Sequence, residues 1–200
     1  MKTKASRRFL LLLIVLLAVD WQMMAGHVSA DEWSLSSLMG ELGGRANGKA
    51  QFVEEKHLSV LDTPIELSGT LAFAPGWLEK HTLQPRPERM IVDGGTLIIE
   101  TGPDRKSRRL RLQDYPAIWG LVEGMRATLT GDLETLRRFY DIELHGTRED
   151  WELLMVPSRG DVSAVVRLVS IRGGNGQIRI IEVVQANGDR SVMRVEEAAS

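Results

Sequence analysis

From Lys49 onward, most of the chain alternates apolar and polar side chains with a period of about two residues, which narrows the possible folds more than any other feature. Residues 65–73 are a clear example, because their odd-numbered residues are apolar or glycine and the even-numbered ones polar or small. This is the pattern of a half-buried β-strand. Three dipeptides typical of tight hairpin turns separate such runs: Asp93-Gly94, Asn175-Gly176 and Asn187-Gly188.

Eleven segments of the chain carry this strand pattern. They are residues 51–59, 65–73, 77–84, 88–92, 96–101, 106–113, 140–145, 151–156, 162–171, 177–185 and 191–195. The strands follow one another too directly for a fold made of βαβ units. The pattern therefore predicts one large, mostly antiparallel sheet that curls on itself.

Three segments change to a helical period. Residues 32–42 place apolar side chains three and four apart, with Asp31 or Ser34 available as a cap. Residues 116–129 have the same spacing after Pro116, which suits a first helical turn, and residues 133–139 form a second short helix. We expect these helices to close the curled sheet.

The first thirty residues predict a secretory signal peptide. A basic start is followed by an apolar run of 11 residues, Phe9–Val19, and by the small-x-small sequence Val28-Ser29-Ala30. The run is shorter than the ~20 residues needed to span a membrane. We therefore predict cleavage after Ala30, with residues 1–30 as the signal peptide and 31–200 as one folded domain.

Charge and composition exclude several classes of function. Removing residues 1–30 takes away four basic residues and one acidic residue, so the net charge changes from −2 to −5. A mildly acidic exported protein is poorly suited to nucleic acid. The chain has no cysteine, so it has no disulfide, thiolate metal site, cysteine nucleophile or lipid on an N-terminal cysteine.

No arrangement typical of an enzyme or a metal site is present in the sequence. His57, His81 and His145 lack metal-binding spacing, and no G-x-S-x-G sequence occurs. We expect neither enzymatic activity nor a cofactor. The apolar face of the curled sheet must still be covered. The sequence pattern is consistent with a packed core and with a cavity for an apolar ligand, and it does not separate the two.

Four short motifs, by their order and spacing, indicate a resemblance to one protein family. They are Ala50-x-Phe52-x-Glu54, Gly69-x-Leu71-x-Phe73, Ala74-Pro75-Gly76-x-Leu78 and Val92-Asp93-Gly94-x-Thr96-Leu97. In these motifs the chain resembles the LolA-type periplasmic lipoprotein carriers. The signal peptide, the strand count and the helices agree with the resemblance over nearly the whole mature chain.

The resemblance implies a fold and a function. The fold would be a mainly β, incomplete antiparallel β-barrel of about eleven strands with an α-helical lid. In the periplasm, its apolar cavity would take up the acyl chains of a lipoprotein or another acylated lipid. The protein, a monomer, would receive cargo from an inner-membrane exporter and deliver it to an outer-membrane receptor. A lipid-sensing or partner-binding module on the same half-barrel is the alternative.

The resemblance and the alternation together select candidate binding residues. On the strands they are Phe52, Leu67, Leu71, Phe73, Leu78, Met90 and Val92, and on the lid they are Trp119, Leu121, Val122 and Met125. Strand alternation leaves open which residues of 89–92 point inward. In the basic run of residues 105–111, Arg109 and Arg111 are candidates for partner docking, against the alternative of a solvated strand face.

One position departs from the family pattern. The family has an arginine before the proline, which helps to hold the lid closed by hydrogen bonds to the lid backbone. Here Ala74 precedes Pro75. We therefore expect a different attachment of the lid and a divergent carrier, whose cargo could be a glycolipid or another acylated molecule instead of a lipoprotein.

Overall fold

A computed structural model describes residues 33–45, 47–102 and 106–197. The predicted signal peptide and its cleavage after Ala30 lie outside these ranges. The described residues form eleven strands: β1 Gly48–His57, β2 Ile65–Ala74, β3 Trp77–Gln84, β4 Glu88–Asp93, β5 Thr96–Thr101, β6 Lys106–Arg111, β7 Tyr140–Gly146, β8 Trp151–Pro157, β9 Val166–Gly174, β10 Gln177–Gln185 and β11 Arg190–Glu197.

All these strands belong to one antiparallel sheet, in the order β6-β5-β4-β3-β2-β1-β11-β10-β9-β8-β7. Neighbours in the sheet are neighbours in sequence except at the centre, where β1 pairs with β11. The edge strands are β6 and β7, and the helical insertion connects them. The open, curled antiparallel sheet predicted from the sequence is confirmed.

Helices lie before the sheet, between its two edge strands, and, as one short turn, between β8 and β9. They are α1 Leu35–Gly43, α2 Pro116–Thr130, α3 Leu133–Phe139 and the short α4 Gly160–Ser163, with a 3₁₀ turn at Leu112–Asp114. The Ser34 hydroxyl caps α1 by accepting from the Ser37 N–H at 3.2 Å, and the Asp132 carboxylate caps α3 by accepting from the Thr135 N–H at 2.9 Å. Within the described ranges, no helix is long and apolar enough to cross a membrane.

Two predicted strands are partly wrong. The strand predicted over residues 106–113 ends at Arg111, and the 3₁₀ turn Leu112–Asp114 follows it. The sequence also predicted a strand over residues 162–171, but Gly160–Ser163 forms a helical turn and the strand begins at Val166. The Asp161 carboxylate accepts from the Val162 N–H at 2.9 Å, and the Ser163 hydroxyl donates to the Gly160 carbonyl at 3.2 Å. Val162 is 0% exposed, so its apolar side chain serves the helical turn as well as it would serve a strand.

Two clusters of buried apolar side chains attach the helices to the sheet. The larger joins α1, α2, α3 and α4 to β7–β10 and includes Leu38, Leu42, Leu136, Tyr140, Trp151, Leu153, Val162 and Ile171. The smaller consists of Val92, Leu97 and Leu112, with Ile118 and Val122 of α2 packed against it. Because α2 contributes to both clusters, it bridges the two flanks of the curled sheet.

Helix α2 lies very close to β7 and α4. A Cβ added at Gly124 would lie 2.5 Å from ring carbon Cε2 of Tyr140, and one at Gly120 would meet the Val162 side chain. The Tyr140 hydroxyl also donates to the Gly120 carbonyl at 3.2 Å. The absence of side chains at these two positions is therefore what allows α2 to pack against this flank of the sheet.

The close approach gives a prediction with an internal control. We expect Gly124→Ala to lower the free energy of unfolding by about 1–3 kcal/mol, because the methyl group must displace the Tyr140 ring. Gly40→Ala in α1, where a Cβ would meet nothing within 4 Å, should instead raise it by roughly 0.5–1 kcal/mol. Urea unfolding of the two variants measures both changes, and equal effects would contradict the packing described here.

Candidate ligand-binding cavity

A cavity of about 420 Å³ lies between the concave face of the sheet and the C-terminal ends of α1 and α2. Its size is within the ~300–1,000 Å³ typical of ligand pockets. The lining is mainly apolar, with the side chains of Leu42, Ala50, Leu71, Phe73, Leu78, Leu129, Ile178, Ile181 and Val195. The interior of the fold is thus packed on its flanks and hollow at this place.

Strand register explains why these side chains meet. Residues directly opposite each other in an antiparallel pair project from the same face of the sheet. Leu71 lies opposite Ala50, and Phe73 opposite Leu78. On the other side of β1, Phe52 lies opposite Val195 of β11. Met193, two residues before Val195 on β11, lies opposite Ile181 of β10. The alternation predicted for β2 is therefore continued across the central strands as one apolar surface.

The mouth of the cavity is polar. Arg45 forms an ion pair with Glu197, and the Gln177 amide donates to the same carboxylate at 3.1 Å. Asn47 and Lys49 also line this end, where β1 starts and β11 ends. A ligand with an apolar chain and a polar group would meet apolar walls inside and charged groups only at the opening.

Beyond the cavity, the concave face carries a buried ion pair between Glu54 and Lys80. Glu54 is 3% exposed and also accepts from the Ser191 hydroxyl. Lys80 lies on β3 and reaches Glu54 on β1 across β2, past Gly69 and over the ring of Phe52, with Nζ 4.9 Å from the ring centroid. Lys80 lies opposite Leu71, so this cluster adjoins the cavity on the same concave face.

The environment of Glu54 shifts its acidity. Burial alone would raise the pKa of the carboxyl, but attraction to Lys80 and hydrogen bonds from Lys80 and Ser191 outweigh burial, so the pKa lies below its ordinary value of 4.5. A lowered pKa in the folded state means that ionised Glu54 stabilises the fold above the unfolded-state pKa. That contribution is lost as the pH falls through the lower, folded-state pKa.

The pH dependence of stability tests this assignment. The difference in unfolding free energy between the native protein and Glu54→Gln should be greatest near neutral pH and should shrink as the pH falls below about 4.5. Urea midpoints measured from neutral pH to about pH 3 give this difference directly. A difference that stays constant across the range would mean that the charge of Glu54 does not stabilise the fold.

Three of the eleven predicted binding residues line the cavity: Leu71, Phe73 and Leu78. The other strand residues lie on the same concave face but elsewhere. Phe52 is buried under Lys80, and Leu67 lies opposite Glu54. Met90 lies opposite Lys80 and Val92 opposite Leu78, which resolves the open choice on β4 in favour of this inward pair. Val92 belongs to the smaller cluster, and Met90 packs against it.

The four predicted lid residues hold α2 in place by packing against its neighbours, and they do not line the cavity. Leu121 and Met125 pack against the larger cluster, and Val122 packs against the smaller one. Trp119 is 38% exposed and meets the ring of Phe139 edge-on, with the ring centroids 5.8 Å apart. The lid reaches the cavity through Leu129 instead.

Sequence reasoning missed seven apolar lining residues. They are Leu42, Ala50, Ala72, Leu129, Ile178, Ile181 and Val195. Leu42 and Leu129 end the apolar stripes of α1 and α2, so their positions in those stripes could have suggested them. The residues of β10 and β11 give no such signal, because only the pairing of β11 with β1 brings them to the site.

The lid has an arginine contact of its own. Ala74 lies at the end of β2, opposite Trp77, and its methyl group has no hydrogen-bond donor for the lid backbone. On α2, the Arg126 guanidinium lies 3.5 Å from the Gly94 carbonyl in the β4–β5 turn and pairs with Glu123 at 2.9 Å. Besides the packing at Gly120 and Gly124, this contact joins the lid to the sheet.

Arg109 and Arg111 lie on the convex face of edge strand β6, opposite Ile98 and Thr96. Both are exposed, and Arg111 donates to Asp114 at 3.0 Å. Lys106 and Arg108 alternate with them and lie opposite Thr101 and Ile99, on the concave side. The two candidate docking residues therefore share one exposed face at the edge of the sheet.

Comparison with known proteins gives a match over most of the chain. The family described as outer membrane lipoprotein carrier protein LolA-like matches residues 28–200. No curated protein matches the sequence.

Similar solved structures include two with very low sequence identity. A LolA superfamily protein from Nitrosomonas europaea is 10% identical, with 84% of this chain and 94% of that chain covered and a TM-score of 0.46. Lipoprotein LppX from Mycobacterium tuberculosis is 6% identical, with 82% of this chain and 95% of that chain covered and a TM-score of 0.41.

Proposed function

Because the chain belongs to the LolA-like family of outer membrane lipoprotein carrier proteins, we propose that it carries an acylated lipid or lipoprotein through the periplasm. After export and cleavage behind Ala30, the monomeric protein binds the acyl part of its cargo under the helical lid. It receives the cargo at the inner membrane and delivers it towards the outer membrane.

The observation that supports this proposal best is the apolar cavity of about 420 Å³. Protein interiors are normally packed as densely as organic crystals, whereas here mainly apolar side chains surround a space that opens at its mouth. An acyl chain exposed to water costs about 0.8 kcal/mol for each methylene group. A carrier that covers the chain removes this cost during transfer, and the transfer needs no chemical step.

The polar mouth supports the same reading. Arg45, Asn47, Lys49 and Glu197 surround the opening, so the polar part of a lipid can stay hydrated while its chain is enclosed. The described residues include no group of three His, Cys, Asp or Glu side chains that could hold a metal ion.

The edge strand β6 supplies a candidate surface for the transport partners. Arg109 and Arg111 are assigned to docking on an acidic surface of the exporter, an interaction that salt should weaken. Changing both to alanine should lower the affinity for that partner without changing ligand binding, because both side chains lie on the convex face. Unchanged partner binding would remove this assignment.

Lipid analysis of the protein from its native host tests the proposed function. The mature protein, isolated from the periplasm, should contain an acylated molecule that solvent extraction and mass spectrometry identify. The intact mass of the protein should correspond to a chain that begins at Asp31. Leu71→Asp, prepared in parallel, should contain much less. Protein that neither carries nor takes up any acyl ligand would refute the proposal. A lipid-dependent complex without transfer between membranes would favour the sensing module instead.

A further inference from the structure

Among the described residues, strand β6 pairs with β5 on one side only, so it forms an open edge of the sheet. The Leu112 N–H donates to the Gly95 carbonyl at 2.9 Å, which fixes the alternation of hydrogen-bonded pairs along this antiparallel hairpin. Every second residue back from Leu112 therefore bonds to β5. The residues between them direct their N–H and C=O groups outward: Ser107, Arg109 and Arg111.

The side chains along this edge are basic on both faces of the sheet. Arg109 and Arg111 project from the convex face, and Lys106 and Arg108 project from the concave face. All four are exposed, and among the described residues only Arg111 has an ion pair, with Asp114 at 3.0 Å. The edge therefore combines outward-directed backbone groups with a concentration of positive charge, on a chain whose predicted mature form is acidic.

This combination selects one kind of neighbouring strand. Basic side chains on an edge disfavour pairing with apolar or basic strands, which is one way in which proteins prevent aggregation. An acidic strand turns the same charges into an attraction, and its main-chain hydrogen bonds add affinity. The acidic edge strand β7, with Asp141 and Glu143, could offer such a strand from a second copy. That head-to-tail contact would extend from copy to copy, so a partner protein fits the edge better.

We infer that β6 binds an extended acidic segment of a transport partner, which adds to the sheet as a further antiparallel strand. This inference rests on the proposed function and deepens it, because docking at Arg109 and Arg111 becomes strand addition with a defined register. Acidic residues of the partner lie opposite these two arginines on the convex face. On the concave face, acidic residues lie opposite Lys106 and Arg108, and an apolar residue lies opposite the half-buried Leu110.

The position of β6 in the chain places this partner near the lid. β6 continues through the 3₁₀ turn Leu112–Asp114 into α2, which begins at Pro116. A strand added at β6 therefore lies beside the segment from which the lid starts, and it leaves the mouth of the cavity, at the start of β1, uncovered.

A designed peptide tests the inference. Read against β6, the register specifies the segment Glu-Val-Glu-Glu-Thr-Glu, whose first residue lies opposite Arg111 and whose last lies opposite Lys106. Flanked by glycines, this segment should bind to the purified full mature protein with an affinity that falls as salt is added. In hydrogen exchange followed by NMR, the amide protons of Ser107, Arg109 and Arg111 should become protected when the peptide binds.

Methylation of the peptide backbone separates strand addition from attraction between charges alone. Methyl groups on the nitrogens of the first, third and fifth residues, which face β6, should weaken binding at least about tenfold, because those hydrogen bonds cannot form. Methyl groups on the nitrogens of the second, fourth and sixth residues keep every charge and leave these hydrogen bonds intact. This second peptide should bind within about threefold of the unmethylated one.

A variant of the protein tests the same edge from the other side. Ser107→Pro removes one outward N–H of β6 and keeps every charge, and proline is tolerated where the N–H of an edge strand faces solvent. Peptide binding should weaken about five- to tenfold. Ser107→Ala is the matched control and should stay within about twofold of the native protein. Both variants should still bind a fluorescent acyl probe, because no β6 residue lines the cavity.

The outcomes separate this inference from the proposed function. A peptide that does not bind, or that binds equally well with either set of methyl groups and leaves the β6 amides unprotected, would overturn strand addition while acyl binding remains. Self-association of the native protein that Asp141→Asn with Glu143→Gln abolishes would assign the edge to a second copy and would also overturn it. Failure of the proposed function shows separately, as native protein that binds no acyl probe.

Discussion

Replacing Lys80 with methionine is expected to lower the free energy of unfolding by about 3–5 kcal/mol, because it leaves the Glu54 carboxylate buried without its cation. Glu54 is 3% exposed and would keep only the Ser191 hydroxyl and the more distant Lys56 ammonium, 3.9 Å away. Methionine has nearly the size of lysine and still packs over Phe52. Chemical unfolding at neutral pH measures the loss.

The double variant shows whether the loss comes from the unpaired charge. Lys80→Met combined with Glu54→Met should recover most of the lost stability, since a buried ion pair can often be replaced by apolar side chains at little cost. Arg138→Met is the surface control, because its partner Glu134 is largely exposed, and should change stability by at most about 1 kcal/mol. A double variant as unstable as Lys80→Met alone would contradict this account.

The second large effect is on ligand binding. Leu71→Asp should weaken the binding of a long-chain fatty acid by at least about 100-fold, because the carboxylate is hydrated in the empty cavity and loses its water when a chain enters. Leu71 lines the cavity and is only half-buried, so the variant should still fold. Competition with a fluorescent acyl probe measures the affinity, and circular dichroism checks the fold.

The adjacent residue provides the control. Thr70 is exposed on the convex face of the same strand, so Thr70→Asp adds the same charge outside the cavity. Its affinity for the fatty acid should remain within about twofold of the native protein. Equal losses in the two variants would mean that charge at this strand, and not the cavity wall, decides binding.

Much of the fold could be predicted from local sequence signals. The bounds of β3 and β5 agree with the predicted segments, because Pro75-Gly76 and Asp93-Gly94 mark the turns before them. The early part of segment 162–171 could not be distinguished, since one buried Val162 fits a helical turn and a strand equally well. Periodicity reports which side chains are apolar but not which short element carries them.

The site was only partly predictable for a related reason. Alternation along β2 and β3 identifies Leu71 and Leu78, because their faces follow from residues two apart. Ile181 and Val195 come from strands more than a hundred residues further along the chain, and only the pairing of β11 with β1 brings them to the cavity. The Glu54–Lys80 pair was also missed, because charged side chains on a strand usually face solvent.

Methyl NMR spectroscopy of the ligand complex tests the central claim most directly. With a saturated fatty acid of about 16 carbons bound, intermolecular NOEs should connect the chain to the methyl groups of Leu42, Leu71, Leu78 and Leu129, which line the cavity. The outward-facing Val53 and the exposed Val156 should show none. NOEs confined to exposed methyl groups, or a bound chain without NOEs to the cavity, would contradict the account.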